Sequence, residues 1–327
     1  MSSMEQNTLL SVEDLSVSYK VYGGFTDVLN KVSFNIGVGK RVGLVGETGC
    51  GKTTSLKTIM GILSGNAVAK GRIMYGGSDL LQMKKSKFED IRKRDLSMIF
   101  QNPSSSLNPV FTIGSQLYDA IGASLDRQSR NSKLIKELAV KALSDVSLAD
   151  PERILGSYPF QLSGGMRQRV CIAMTIATER KVILADEPGT ALDVTVQDQI
   201  LRLISNLVTA KNFSLLLVSH SLGIIREMTD WIYVMYGGTI VESGKTELIL
   251  AEPRHPYTAA LMECVPKLSG EGISRGINGD IVDYKNPPKG CRFYPRCPKA
   301  MDVCREHVPA VKTSIDKEHS IACHFYN

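Results

Sequence analysis

Residues Gly46-Glu47-Thr48-Gly49-Cys50-Gly51-Lys52-Thr53 fit the pattern GxxxxGK[ST]. They follow the short apolar run Arg41 to Val45 and lead into KTTSLKTIMGIL, whose apolar residues are spaced like a helix. That order suits phosphate chemistry. Glycines let backbone N–H groups curl around β- and γ-phosphates, and the following helix turns its positive dipole end toward them. Lys52 supplies a mobile cation, and the Thr53 hydroxyl is a ligand for Mg²⁺. With each fixed residue near its average usage, chance gives the pattern in about 1% of chains this long. Cys50 sits where a helix N-terminus lowers a thiol pKa, but a small side chain simply fits there, and it is read as packing.

A second constellation is acidic. Lys181 to Ala185 has the pattern of a buried strand and ends in Asp186-Glu187. Ligands of open α/β sheets bind at the carboxyl ends of strands. There Asp186 suits Mg²⁺, usually through water, and Glu187 can orient or deprotonate an attacking water. The third is sulfur. Cys50, Cys171 and Cys264 are scattered, whereas Cys291, Cys297, Cys304 and Cys323 read C-x5-C-x6-C-x18-C. Without a secretory signal, clustered thiols point to metal rather than disulfides. Four thiolates suit tetrahedral zinc or a [4Fe–4S] cluster, and the spacing leaves both open.

The elements that must position these groups follow from patterning. Residues 10 to 45 alternate like strands broken by a Gly23-Gly24 turn, and residues 72 to 102 read as strand, polar linker and strand. Asn108 to about Ala149 has helical periodicity. KVILA and SLLLV are continuous apolar runs expected of buried parallel strands, and they alternate with helical segments in a βαβ rhythm. WIYVMYGGTIVESG reads as a glycine-rich hairpin. After Glu252 the texture turns to Pro, Gly and Cys, which places a boundary near residue 250.

Composition removes other classes. Of the 327 residues, 43% are hydrophobic and 22% charged, which excludes wholesale disorder. No stretch approaches the roughly 18 apolar residues of a membrane span, and Met1 to Leu10 lacks the order of a secretory signal. The protein is therefore expected on the cytosolic side. A net charge of +6 is spread without a basic arm, and the single Trp leaves little for base stacking. Nucleic acid is not an expected partner.

Leu162-Ser163-Gly164-Gly165-Met166-Arg167-Gln168, ahead of Asp186-Glu187, resembles the signature motif of ATP-binding-cassette ATPases. In order, Gln101 in MIFQNP resembles the Q-loop, Ala191-Leu192-Asp193 the D-loop, His220 in LLLVSH the switch histidine, and Tyr19 in LSVSY the adenine-stacking aromatic, with Tyr22 as a competing candidate. Two positions depart from the pattern: Ser221 stands where many relatives carry Asp, and Gly189 where Thr or Ser is frequent. Neither removes a catalytic group. Arg254-His255-Pro256-Tyr257-Thr258, Cys291-Arg292-Phe293, Arg296-Cys297-Pro298 and SSSLNP (104–109) are similar to ATPase subunits of dipeptide and oligopeptide importers.

The resemblance implies an α/β P-loop NTPase (RecA-like) mixed sheet, with an N-terminal antiparallel β-subdomain, a helical signature-motif subdomain and a loop-rich cysteine region. Residues 8–250 would form the nucleotide-binding domain, with its helical part about 102–178, and residues 251–327 the C-terminal region. It implies ATP bound by Tyr19, Gly46, Glu47, Thr48, Gly49, Cys50, Gly51, Lys52, Thr53 and Thr54. Gln101, Asp186 and Asp193 join them, as do Ser163, Gly164 and Gly165 from a second copy. Catalysis falls to Glu187, His220, Gln101 and Lys52; Mg²⁺ to Thr53, Gln101 and Asp186. The family's known cluster assigns [4Fe–4S] to the four cysteines, with zinc as the alternative. The implied partners are two membrane permeases, met near Phe111 to Tyr118, a second ATPase and, indirectly, an extracytoplasmic binding protein. The expected place is the cytoplasmic face of the inner membrane. A nickel or metal-chelate importer of the same subfamily, and a soluble non-transport cassette ATPase, are the alternatives.

Overall fold

Alternating burial builds the first two strands, β1 (Thr8–Val21) and β2 (Gly24–Gly37). Leu10, Val12, Leu15 and Val17 of β1 are all buried. The spacing slips by one residue between Val12 and Leu15, where the pairing register shifts and Asp14 adopts φ 47°. A bulge there restores the inward face. The computed structural model describes residues 7–264 and 276–326; the first six residues of the N-terminal stretch lie outside the described residues.

The chain continues through β3 (Arg41–Val45), α1 (Lys52–Ile59), β4 (Ala67–Tyr75), β5 (Ser78–Asp79), α2 (Lys85–Arg94), β6 (Leu96–Ile99), α3 (Pro103–Ser106), α4 (Ile113–Ser124), α5 (Ser132–Asp145), α6 (Pro151–Gly156) and α7 (Gly164–Ile176). Then come β7 (Val182–Asp186), α8 (Val194–Lys211), β8 (Ser214–Ser219), α9 (Leu222–Met228), β9 (Trp231–Tyr236), β10 (Thr239–Lys245), α10 (Thr246–Ala251), α11 (Pro256–Glu263), α12 (Asp302–Glu306), β11 (Val311–Thr313) and β12 (His319–Ala322). Two units result: Met1–Met83 with Leu216–Asn327, and Lys84–Leu215. Among the described residues no helix is long and apolar enough to cross a membrane.

In the first unit β2-β1-β4-β5 form an antiparallel sheet, and β11-β12-β10-β9-β3 run in that order in a mixed one. β3 and β9 pair in parallel, Val42 opposite Trp231 through Val45 opposite Val234, while β9, β10, β12 and β11 pair antiparallel. In the second unit β6 and β7 are parallel, and helices α3 to α8 start at capped ends. Thr112, Asn131, Asp150, Ser163 and Asp193 each accept a backbone N–H from the first turn of the helix that follows. One element departs from expectation: the polar linker before β6 contains helix α2. None of its residues is buried, so it has no apolar periodicity to read.

The C-terminal segment is tied to β10 by a buried carboxylate. Glu242 Oε1 accepts from the Arg254 N–H (2.8 Å) and pairs with His319 Nε2 (2.7 Å), while Oε2 accepts from the His255 N–H (3.1 Å). His255, 1% exposed, caps α11 by accepting the Tyr257 N–H on Nδ1 at 3.1 Å. An imidazolium has no lone pair for that bond. Burial lowers the His255 pKa to about 4, partly opposed by the Glu242 charge. Since an unfolded histidine titrates near 6.5, the unfolded chain takes up a proton between pH 6.5 and 4 that the folded chain refuses. Its contribution is therefore complete above about pH 6.5 and declines on acidification, by about 3 kcal/mol at most. Urea unfolding at pH 7 and pH 5 should show this loss, and His255→Asn, which keeps a capping acceptor that does not titrate, should make it smaller.

Candidate functional site

The phosphate-loop sequence forms a tight curl between β3 and α1. Gly49 and Gly51 adopt φ 84° and 108°, a region that side chains strain to enter. Gly46 is required for a different reason: a Cβ there would lie 2.1 Å from the Met235 carbonyl oxygen and 2.8 Å from Cys50 Sγ. The Gly238 N–H donates to the Cys50 carbonyl at 2.9 Å, fastening the curl to the β9–β10 turn. Lys52, 4% exposed, keeps its ammonium inside the curl, donating to the carbonyls of Gly46 (2.6 Å) and Glu47 (2.9 Å). Burial pushes the Cys50 thiol up, against some relief from Lys52, which disfavours a reactive thiolate and agrees with packing. Thr53 and Thr54 open the helix, half-buried.

Three groups from far along the chain reach this loop. The Glu47 N–H donates to Tyr257 Oη at 2.8 Å, and Tyr284 Oη donates to the Gly49 carbonyl at 2.8 Å. Arg296 meets the Glu47 carboxylate in a two-bond fork, Nη1 to Oε2 at 2.8 Å and Nη2 to Oε1 at 3.1 Å. Its side chain is only 3% exposed. The motif reading missed all three because nothing local links positions more than 200 residues apart. The only sequence signal was that Arg254–Thr258 and Arg296–Cys297–Pro298 stood out as motifs.

Elsewhere in this unit Tyr19 lies half-buried in β1, opposite Thr26 and Ala67, whereas Tyr22 projects fully into solvent from the following turn. His220 is exposed just beyond β8, where the Ser221 N–H donates to Ser219 Oγ at 3.0 Å.

The second unit assembles the acidic and signature residues. Asp186 ends β7 at 4% exposure. Glu187 follows with φ 45°, and its Oε2 accepts from Gln101 Nε2 (3.3 Å) and Thr190 Oγ1 (3.2 Å). The geometry thus unites two of the sequence candidates, and Gln168 is a positioning residue that sequence reasoning did not single out. Buried in α7, it donates from Nε2 to the Pro188 carbonyl at 2.7 Å, tying the signature helix to the residue after Glu187. Ser163 caps α7 and Asp193 caps α8. Gly165 packs close to Val196, where a Cβ would come 2.9 Å from Cγ1. Val110, Phe111 and Phe160 leave apolar surface exposed.

The four C-terminal cysteines lie in one electrostatic neighbourhood. The Cys291 thiol is raised to about 11, first by burial and then by the charges of Cys304, Cys297 and Cys323, against a hydrogen bond from the Phe293 N–H. Cys297 and Cys323 are also raised, first by burial. The Cys291 N–H donates to the Cys304 carbonyl at 2.8 Å. Four thiols are the donor type that a cluster or zinc would need, but among the described residues no three His, Cys, Asp or Glu side chains are gathered as a metal-holding group.

An anion-ready loop on one α/β unit, together with an acidic strand end and a glycine-opened helix on the other, defines the class of nucleotide-binding cassettes. Solved structures agree at the level of fold. The dimeric ATP-binding cassette MJ0796, bound to ADP and Pi, aligns with a TM-score of 0.65 and 24% identity over 72% of this chain and 98% of its own. Residues 29–190 match the family model described as ABC transporter, and residues 241–304 match the oligopeptide/dipeptide transporter C-terminal region. The chain is 39% identical over 318 residues to the dipeptide transport ATP-binding protein DppD of Bacillus subtilis (strain 168), covering 96% of this chain and 94% of that protein. Its identity to DppD of Escherichia coli (strain K12) is 38% over 320 residues, 97% and 96% of the two chains. The chain accordingly belongs to the ABC transporter family, among its ATP-binding proteins, and is an ATPase.

Backbone crowding gives a direct test. Gly46→Ala should lower stability by about 3 kcal/mol, since the obstructing atom is a strand carbonyl that cannot rotate away. Gly164→Ala, whose Cβ would meet only Leu192 Cδ2 at 3.4 Å, should cost under about 1 kcal/mol. Chemical denaturation of both variants checks the contrast.

Proposed function

We propose that the chain is the ATP-hydrolysing subunit of a membrane importer for dipeptides or oligopeptides. The observation that carries this reading is near-full-length identity to dipeptide transport ATP-binding proteins, extending into the C-terminal region. Residues 8–250 act as the nucleotide-binding domain, with residues 102–178 as its helical part, and 251–327 as the appended region. Two membrane permeases, a second ATPase (a paralogue or an identical copy) and, indirectly, an extracytoplasmic binding protein are the partners, at the cytoplasmic face of the inner membrane. The exposed apolar side chains around Phe111 offer a contact for the permeases.

In this proposal Tyr19 stacks on adenine, and the amides of residues 46–54 surround the phosphates with Lys52 among them. Thr53, Gln101 and Asp186 hold Mg²⁺, whose charge offsets that of the phosphates. Glu187, already hydrogen-bonded to Gln101, orients or deprotonates the attacking water. His220 contacts the γ-phosphate. Asp193 joins the site, and Ser163, Gly164 and Gly165 of the companion ATPase close it, because a capped helix start is a second anion-binding end. Cys291, Cys297, Cys304 and Cys323 hold a [4Fe–4S] cluster that staples the loop-rich tail; their clustering in the sequence supports it.

Glu187→Gln should retain ATP binding yet lose about 100-fold or more of turnover; unchanged steady-state hydrolysis would remove the role given to Glu187. Protein purified anaerobically should be brown, with broad absorbance near 400 nm and about four irons per chain. Stoichiometric zinc in a colourless protein would replace iron but keep the four-thiolate site.

A further inference from the structure

Glu47 poses an electrostatic problem. It places a carboxylate on the loop whose amides are meant to receive a polyphosphate, and like charges at such range oppose each other. The structure shows how that charge is handled. Arg296 covers both carboxylate oxygens, and it is itself held from behind by two carbonyls, Nε donating to Asn278 (3.0 Å) and Nη2 to Ile277 (2.8 Å). Its guanidinium also lies against the Tyr236 ring, 5.8 Å from the centroid. A nearly buried arginine with so many partners has one orientation. On the same residue, Tyr257 Oη accepts the Glu47 N–H and so fixes the peptide while Arg296 fixes the side chain. Tyr257 is itself packed between Tyr236 and Phe293, ring centroids 4.6 and 5.4 Å away.

We propose that Arg296, with Tyr257, is a positioning residue of the ATP site: it neutralises and pins Glu47, so the C-terminal region is a working part of the phosphate loop. The inference rests on the nucleotide-binding role of that loop. It assigns the tail a function that holds whatever the neighbouring cysteines bind.

The test is the affinity of full-length protein for a fluorescent ATP analogue with Mg²⁺, read by anisotropy, with melting curves taken with and without nucleotide. Arg296→Gln should weaken binding about tenfold, because it bares the Glu47 charge beside the phosphates. Adding Glu47→Gln should recover about half or more of that loss on a logarithmic scale, and Arg296→Lys should fall between wild type and Arg296→Gln. A merely structural role predicts the opposite sign, with the second substitution adding damage. If Arg296→Gln does not fold, the Arg296→Gln/Glu47→Gln pair, which leaves no uncompensated charge, stands in. It should melt near wild type without nucleotide and bind within about threefold of it; binding weaker than about tenfold would overturn the charge argument. Wild-type affinity in Arg296→Gln, or a double variant no better than the single, would also overturn the proposal. A wild-type chain that did not bind the analogue would instead overturn the nucleotide role itself, and this inference with it.

Discussion

A cradle of backbone amides holds a polyphosphate only if its curvature exists before the ligand arrives, since ordering the loop at the moment of binding would cost conformational entropy. In this chain the curvature is set by contact rather than by the motif alone. The Met235 carbonyl stands where any Cβ on Gly46 would be, the Gly238 N–H holds the Cys50 carbonyl, and Tyr257 and Tyr284 take one backbone group each. The first sheet, the β9–β10 hairpin and the tail all converge on this one bend.

The other unit solves a related problem for its carboxylates. Asp186 ends a fully buried strand, and the chain must then turn sharply; Glu187 takes a left-handed conformation to do so. Such a conformation persists only where neighbours over-determine it. Gln101 and Thr190 fix the Glu187 side chain, and Gln168 fixes the next carbonyl. The signature helix thus serves its own unit through Gln168 while its capped start at Ser163 stays exposed.

Much of this was legible in the sequence because it is local. The glycine-lysine loop, the apolar strand ending in two acids, and the hairpin at residues 231–245 each announce themselves within a short window. Helix α2 was not legible, since a helix with no buried face carries no apolar period. Nor were Arg296, Tyr257 and Tyr284, whose partners are chosen by the fold across more than 200 positions. The bulge at Asp14 was not legible either: residues 10 to 45 read as plain alternation, and only strand pairing shows the register shift.

The carboxylate of Glu242 bears on how this chain can be dissected. A change of composition near residue 250 invites truncation there, yet Arg254, His255 and His319 supply the three contacts that satisfy this fully enclosed acid. Cutting before them would remove every one of those partners and leave an edge of β10 without its β12 neighbour. The change in composition therefore crosses a shared polar cluster, and a chain shortened there should be less stable than the full one.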